Sequence, residues 1–143
     1  MGARSWLVYA AILPCLFLAG CGPSGPERAE VTGSVKLDGQ QVAEGAINFF
    51  PTEGTTGPEA GAPITDGKYS IPRSQGPVVG KHRIVLTKFG DTGKMMQDPT
   101  RPPGTMMKER GNVMPPEVSS NSTLVREVKS GTNRLDFDIP SKK

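Results

Sequence analysis

Val31-Thr32-Gly33-Ser34-Val35-Lys36-Leu37-Asp38-Gly39 sets the fold class of this chain. Val31, Gly33, Val35 and Leu37 fall on one face, and Thr32, Ser34 and Lys36 fall on the other. A period of two is that of a strand with one face in a core and one in water. Asp38-Gly39 then supplies a hairpin-type turn. Working outward, the same signal recurs. Gly45 to Phe50 reads as a strand with Ile47 and Phe49 on one face, ended by Pro51. Thr52 to Ala62 is polar and Gly-rich, hence a loop. Ile64-Thr65, Asp66-Gly67 and Tyr69 to Ile71 read as two short strands around a tight turn. Gly76-Pro77 marks another turn. His82 to Phe89 is the strongest strand, with His82, Ile84 and Leu86 on one face and Val85 and Phe89 on the other. Thr123 to Val128 resumes strand character, Ser130 to Asn133 is a turn, and Leu135, Phe137 and Ile139 alternate with Arg134, Asp136 and Asp138.

No amphipathic helix interrupts this series. High Gly and Pro (18 and 14 of 143 residues) with 6% aromatics suit short strands and many turns. About seven strands of this kind predict an all-β domain, a Greek-key β-sandwich. One segment breaks the pattern. Gly90 to Pro116 contains Pro99, Pro102, Pro103, Pro115 and Pro116, which exclude a long helix and a central strand. It is expected to be a long loop, and loops of that length are functional or disordered.

The N-terminus carries a different message. Arg4 precedes an apolar block from Trp6 to Leu18, which ends in Leu18-Ala19-Gly20-Cys21. A short basic start, an apolar core and small residues at the end are the parts of a secretory signal. The block is about 13 residues, short of the roughly 20 needed to cross a bilayer, and Pro14 interrupts it. Met1-Gly2 is not a myristoylation start, because Trp6 stands where Ser or Thr is needed. Leu18-Ala19-Gly20-Cys21 resembles the bacterial lipoprotein signal, in which the Cys is acylated and becomes the first mature residue. The alternative is an ordinary cleaved signal with an incidental Cys. The resemblance implies residues 1–20 as signal, Cys21 as the lipidation site and residues 21–29 as a lipidated tether. Gly22 to Arg28 has a flexible linker composition. The β-domain is expected over 30–140, with its insertion at about 90–116. Gly22, rather than Asp, after the Cys favours export to the outer membrane over retention on the inner one. The protein is thus expected to be extracytoplasmic and membrane-anchored, at the outer membrane or the periplasmic face.

Two stretches carry a second resemblance: Val31 to Pro51, and Asp66-Gly67-Lys68-Tyr69-Ser70-Ile71 followed by Gly80 to Leu86. They are similar to carboxypeptidase regulatory-like, transthyretin-like domains, with their V-x-G-x-V, D-G, G-A-x-V-x-F and D-G-x-Y elements. With the lipoprotein signal and the ending Ser122-Thr123-Leu124 to Gly131-Thr132-Asn133, the chain resembles small exported lipoproteins common in planctomycete bacteria. The resemblance implies a transthyretin-like sandwich and assigns no activity. In it Gly33 permits close backbone approach, Asp66-Gly67 turns, and Tyr69 fills core. His82 stands where that pattern has an aromatic.

The chemistry the chain can carry is narrow. It has one His, and its two Cys are Cys15 and Cys21, both at the signal. The mature domain then has no disulfide and no thiol nucleophile. A zinc peptidase needs a His and carboxylate cluster that is missing here. Hydroxyisourate hydrolases share the transthyretin-like fold but need several His and Arg residues and a different C-terminus. G-x-S-x-G and phosphate-cradling Gly loops are absent too. His82 reads as a core-edge residue rather than a ligand or base. Asp136 and Asp138, at strand spacing, share a solvent face. Asn121-Ser122-Thr123 reads as a polar strand start. With a net charge of +3 and both signs interspersed, nucleic-acid binding is excluded. No catalytic residues and no cofactor are implied.

The methionines are the exception. Met95, Met96, Met106, Met107 and Met114 all lie in the anomalous segment. Thioethers are soft ligands that suit Cu(I). They also pad loops and make adaptable partner contacts. The leading expectation is a non-catalytic binding or scaffolding module at the cell envelope. It would be held to the membrane by its lipid and contact an envelope protein or polymer. Periplasmic copper handling through the Met-rich segment is the alternative.

Overall fold

The computed structural model describes residues 25–141. The signal motif Leu18-Ala19-Gly20 and the lipidation site Cys21 lie outside the described residues. Eleven strands follow in order. They are β1 (Glu30–Leu37), β2 (Gln40–Gln41), β3 (Glu44–Pro51), β4 (Ala60–Thr65), β5 (Lys68–Ile71), β6 (Gly80–Thr87), β7 (Phe89–Gln97), β8 (Met106–Asn112), β9 (Val125–Val128), β10 (Thr132–Arg134) and β11 (Phe137–Ile139). Single 3-10 turns at Arg73–Gln75 and Pro116–Val118 are the only helical pieces among the described residues, and none is long and apolar enough to cross a membrane.

The all-β class is as expected, and most pairings are antiparallel. The expected two-sheet sandwich is not what the hydrogen bonds draw. Nine strands form one sheet along the path β10-β1-β5-β4-β3-β6-β9, with β2 and β11 also on β1. This sheet curls strongly into a half-barrel. Strand alternation explains how one sheet encloses a core: the longer strands lend their apolar faces to the concave side. Val31, Val35, Ile47, Phe49, Ile64, Ile71, Ile84, Leu86, Val128 and Phe137 are buried there. Each such side chain contributes about 1.5–3 kcal/mol on burial.

Both Asp-Gly pairs make the turns expected of them. Asp38 and Gly39 have φ of 53° and 75°, and Asp66 and Gly67 have 49° and 73°. Two successive positive φ values are the signature of type I′ turns, whose twist matches that of the flanking strands. The second turn tucks against the β2–β3 connection, with Gly67 N donating to Val42 O at 2.9 Å and Asp66 N to Ala43 O at 2.8 Å.

The chain's closing segment runs parallel to β1, not antiparallel. Val31 faces Asn133 and Val35 faces Phe137. Between β10 and β11 the backbone steps inward at Leu135, whose carbonyl passes over Gly33. A Cβ on Gly33 would stand 1.8 Å from that oxygen, so only glycine fits.

The segment expected to be a loop is an ordered β-ribbon. Strands β7 and β8 pair antiparallel from Phe89↔Asn112 to Gln97↔Met106, with a bulge between Asp91 and Met95. The prolines punctuate this ribbon. Pro99, Pro102 and Pro103 lie in its tip, and Pro115 and Pro116 follow it. The tip is tied by Asp98, which accepts from Thr100 Oγ1 at 2.6 Å and Thr100 N at 2.9 Å. A second boundary also moves. Strand β6 ends at Thr87, and Phe89 opens the ribbon exposed instead of continuing β6.

Strand directions give the molecule two ends. β1 and β6 both begin at the end where Glu27 O accepts from Val79 N, and Arg28 bridges to Val78. β6 then runs eight residues to Thr87 and hands over to the ribbon. Eight extended residues span about 26 Å. The chain therefore enters at one end of the half-barrel, and the ribbon leaves from the other.

Candidate functional site

His82 is fully buried on β6, on the same face as Ile84 and Leu86. Its Nδ1 lies 3.1 Å from Gly80 O, and its ring meets Phe49 edge-on with centroids 6.2 Å apart. Nε2 is buried with no partner among the described residues. Burial pushes the imidazole below its ordinary pKa, against a smaller opposing effect of the Gly80 carbonyl. A neutral ring sealed in the core reaches no substrate.

Asp136 and Asp138 are joined to different groups. Asp136 Oδ1 accepts from Ser34 N and Ser34 Oγ, both at 2.8 Å, and Oδ2 accepts from Arg134 Nε at 3.0 Å. The Ser34 hydroxyl, then Arg134, holds its carboxyl below the usual carboxylate range. Asp138 accepts from Gly39 N at 3.3 Å. The pair staples the last strands to β1 and does not converge on a reacting centre. Tyr69 donates from its hydroxyl to Leu135 O at 2.7 Å. Burial raises its pKa, with Asp136 adding to the effect. Ser122 is buried and donates to Ile84 O, so the Asn121-Ser122-Thr123 motif locks a connection beneath β6. Among the described residues no group of three His, Cys, Asp or Glu side chains gathers to hold a metal ion.

The five methionines separate into two sets. Met114 is 4% exposed and packs in the core, so it cannot join the others as a surface ligand. Met95, Met96, Met106 and Met107 are 56%, 42%, 53% and 38% exposed on the ribbon. Met96 stands directly opposite Met107, while Met95 faces Lys108 and Gln97 faces Met106. Cross-strand partners share a face. Met96 and Met107 therefore lie on one face, and Met95 and Met106 on the other. Phe89, 69% exposed, marks the base. No other part of the described molecule leaves large apolar side chains so concentrated in water. The sequence located the methionines but gave no sign that two strands would present them on both faces.

A second feature was not visible in the sequence. An open groove of about 670 Å³ lies on the convex face of β10, β1, β5 and β4. Its polar lining comes from Thr32, Ser34, Thr65, Ser70, Lys68 and Arg134. These are the outward partners of core residues, brought side by side by the registers Thr32↔Arg134, Thr32↔Ser70, Ser34↔Lys68 and Thr65↔Lys68.

Compared with known proteins, the chain matches no family model, no curated protein and no solved structure.

Proposed function

We propose that this protein is a membrane-anchored, non-catalytic binding module of the cell envelope, docking an envelope protein through its β7–β8 ribbon. The observation that carries the reading is the ribbon. A two-stranded hairpin is marginal in water by itself, yet this one projects Phe89 and four methionines into solvent. Flexible thioethers and an aromatic suit an adaptable contact surface. Lipidation at Cys21 completes the reading. Burial of each acyl methylene contributes about 0.8 kcal/mol, and two or more chains make attachment stable. Chain entry at the opposite end from the ribbon would then hold the ribbon away from the anchoring membrane. The curled sheet is read as a relative of the transthyretin-like sandwich that the strand motifs resemble.

Metabolic labelling with palmitate, with a Cys21→Ala control, tests the anchor. Wild type should be labelled and membrane-bound, and the variant neither. Replacing Met95, Met96, Met106 and Met107 by Gln tests the docking surface. The partner cross-linked to wild type should be lost while the far-UV spectrum is unchanged. A cross-link surviving all four substitutions would contradict the reading.

Periplasmic Cu(I) handling is the second reading, favoured by the Met96–Met107 cross-strand pair and two further exposed thioethers nearby. Met114 drops out of it. Titration with Cu(I) under reducing conditions decides, and affinity weaker than micromolar sinks the idea.

A further inference from the structure

The groove on the convex face is independent of the ribbon, and nothing in the docking reading uses it. Its charged lining is entirely cationic, Lys68 and Arg134. The Lys68 ammonium has no hydrogen bond or ion pair with another described residue, and neither do the hydroxyls of Thr32, Thr65 and Ser70. Asp136 lies behind Arg134. Three donors already occupy its carboxylate, and it grips Arg134 by Nε alone, leaving the two terminal guanidinium nitrogens unpaired among the described residues. That contact orients the fork without consuming it.

The floor between the two cations has two kinds of surface. Serine and threonine hydroxyls each donate and accept. The Pro63 ring and the threonine methyls add C–H surface. A sugar ring presents the same mixture, hydroxyls at its rim and C–H groups on its faces. The volume falls within the range of small-ligand sites, roughly 300–1,000 Å³. The groove is open along the sheet instead of closed over, so a polymer can continue past either end.

We propose that this groove binds an acidic saccharide chain. Lys68 and Arg134 would take its carboxylate or sulfate groups, and Thr32, Thr65 and Ser70 would hydrogen-bond its hydroxyls. Asp136 and Ser34 would serve as positioning residues.

Affinity electrophoresis and calorimetry on the full chain test this, with polygalacturonate, dextran sulfate and uncharged dextran as probes. The protein should bind one or both polyanions, and which of them identifies the acid group. It should ignore dextran. Lys68→Glu, at an exposed and unpartnered position, should weaken binding about ten-fold or more. Ser70→Trp should abolish it by filling the floor, and Thr65→Lys should tighten it. If Ser70→Trp does not fold, Lys68→Glu and Thr65→Lys still decide. The four-methionine variant should bind as wild type, which separates failure of this site from failure of the ribbon. Binding to neither polyanion, equal binding to dextran, or wild-type affinity in both Lys68→Glu and Thr65→Lys would overturn the proposal.

Discussion

Three positions show how closely single residues set this structure. Gly33 lies under the Leu135 carbonyl with no room for a methyl group. Gly33→Ala should therefore lower stability by about 3 kcal/mol, measured by urea unfolding. Tyr69→Phe leaves that same carbonyl without its 2.7 Å donor and should cost about 1–3 kcal/mol. His82 makes a pH-dependent contribution. Its folded-state pKa is depressed below 6.5, so the folded protein binds a proton there less readily than the unfolded chain. The contribution is complete above about pH 6.5 and is lost as pH falls through the folded value. Replacing it by Phe removes the unpartnered Nε2 and the titration together. His82→Phe should match or exceed wild-type stability at pH 7, and should flatten the decline on acidification from pH 6.5 towards 5. A decline of unchanged slope would assign that acid sensitivity to other groups. The role of Gly33 was legible beforehand because the V-x-G-x-V pattern has glycine where a branched residue would continue the face. The orphan nitrogen of His82 was not, because sequence places a side chain on a face without saying what its atoms meet there.

At the scale of elements, legibility follows burial. Strands β1, β3, β5, β6 and β11 each bury one face, so their apolar residues alternate and the pattern can be read. The ribbon buries neither face. Its residues in β7 and β8 are exposed or half-buried throughout, and no alternation survives to announce a strand. Prolines at its ends then look like loop residues. The same exposure governs its behaviour. Amides of β7 and β8 should exchange with solvent far faster than those of β1, β3 and β6, as hydrogen-exchange mass spectrometry can show. Mild peroxide should convert Met95, Met96, Met106 and Met107 to sulfoxides well before Met114. Sluggish oxidation of all four would mean the ribbon is covered in solution.

The whole molecule is organised from end to end. Chain entry, the Arg28–Val78 bridge and the Lys129–Gly131 turn lie at one end. The Asp38-Gly39 and Asp66-Gly67 turns, the ribbon and the final residues lie at the other, where Ser141 N donates to Asp38 at 2.7 Å. This polarity could not be read from the sequence, because it depends on strand directions through a nine-stranded sheet in which the chain's last two strands run parallel to the first. It suits the module proposed above, tethered at one end and offering its contacts at the other. The most direct test places a photo-cross-linking amino acid in the living cell at Met96 on the ribbon, or at Gln75 on an exposed turn at the entry end. The account predicts a discrete, reproducible adduct from Met96 and none from Gln75. Adducts from Gln75 alone, or none from Met96 with the protein folded and at the membrane, would contradict it.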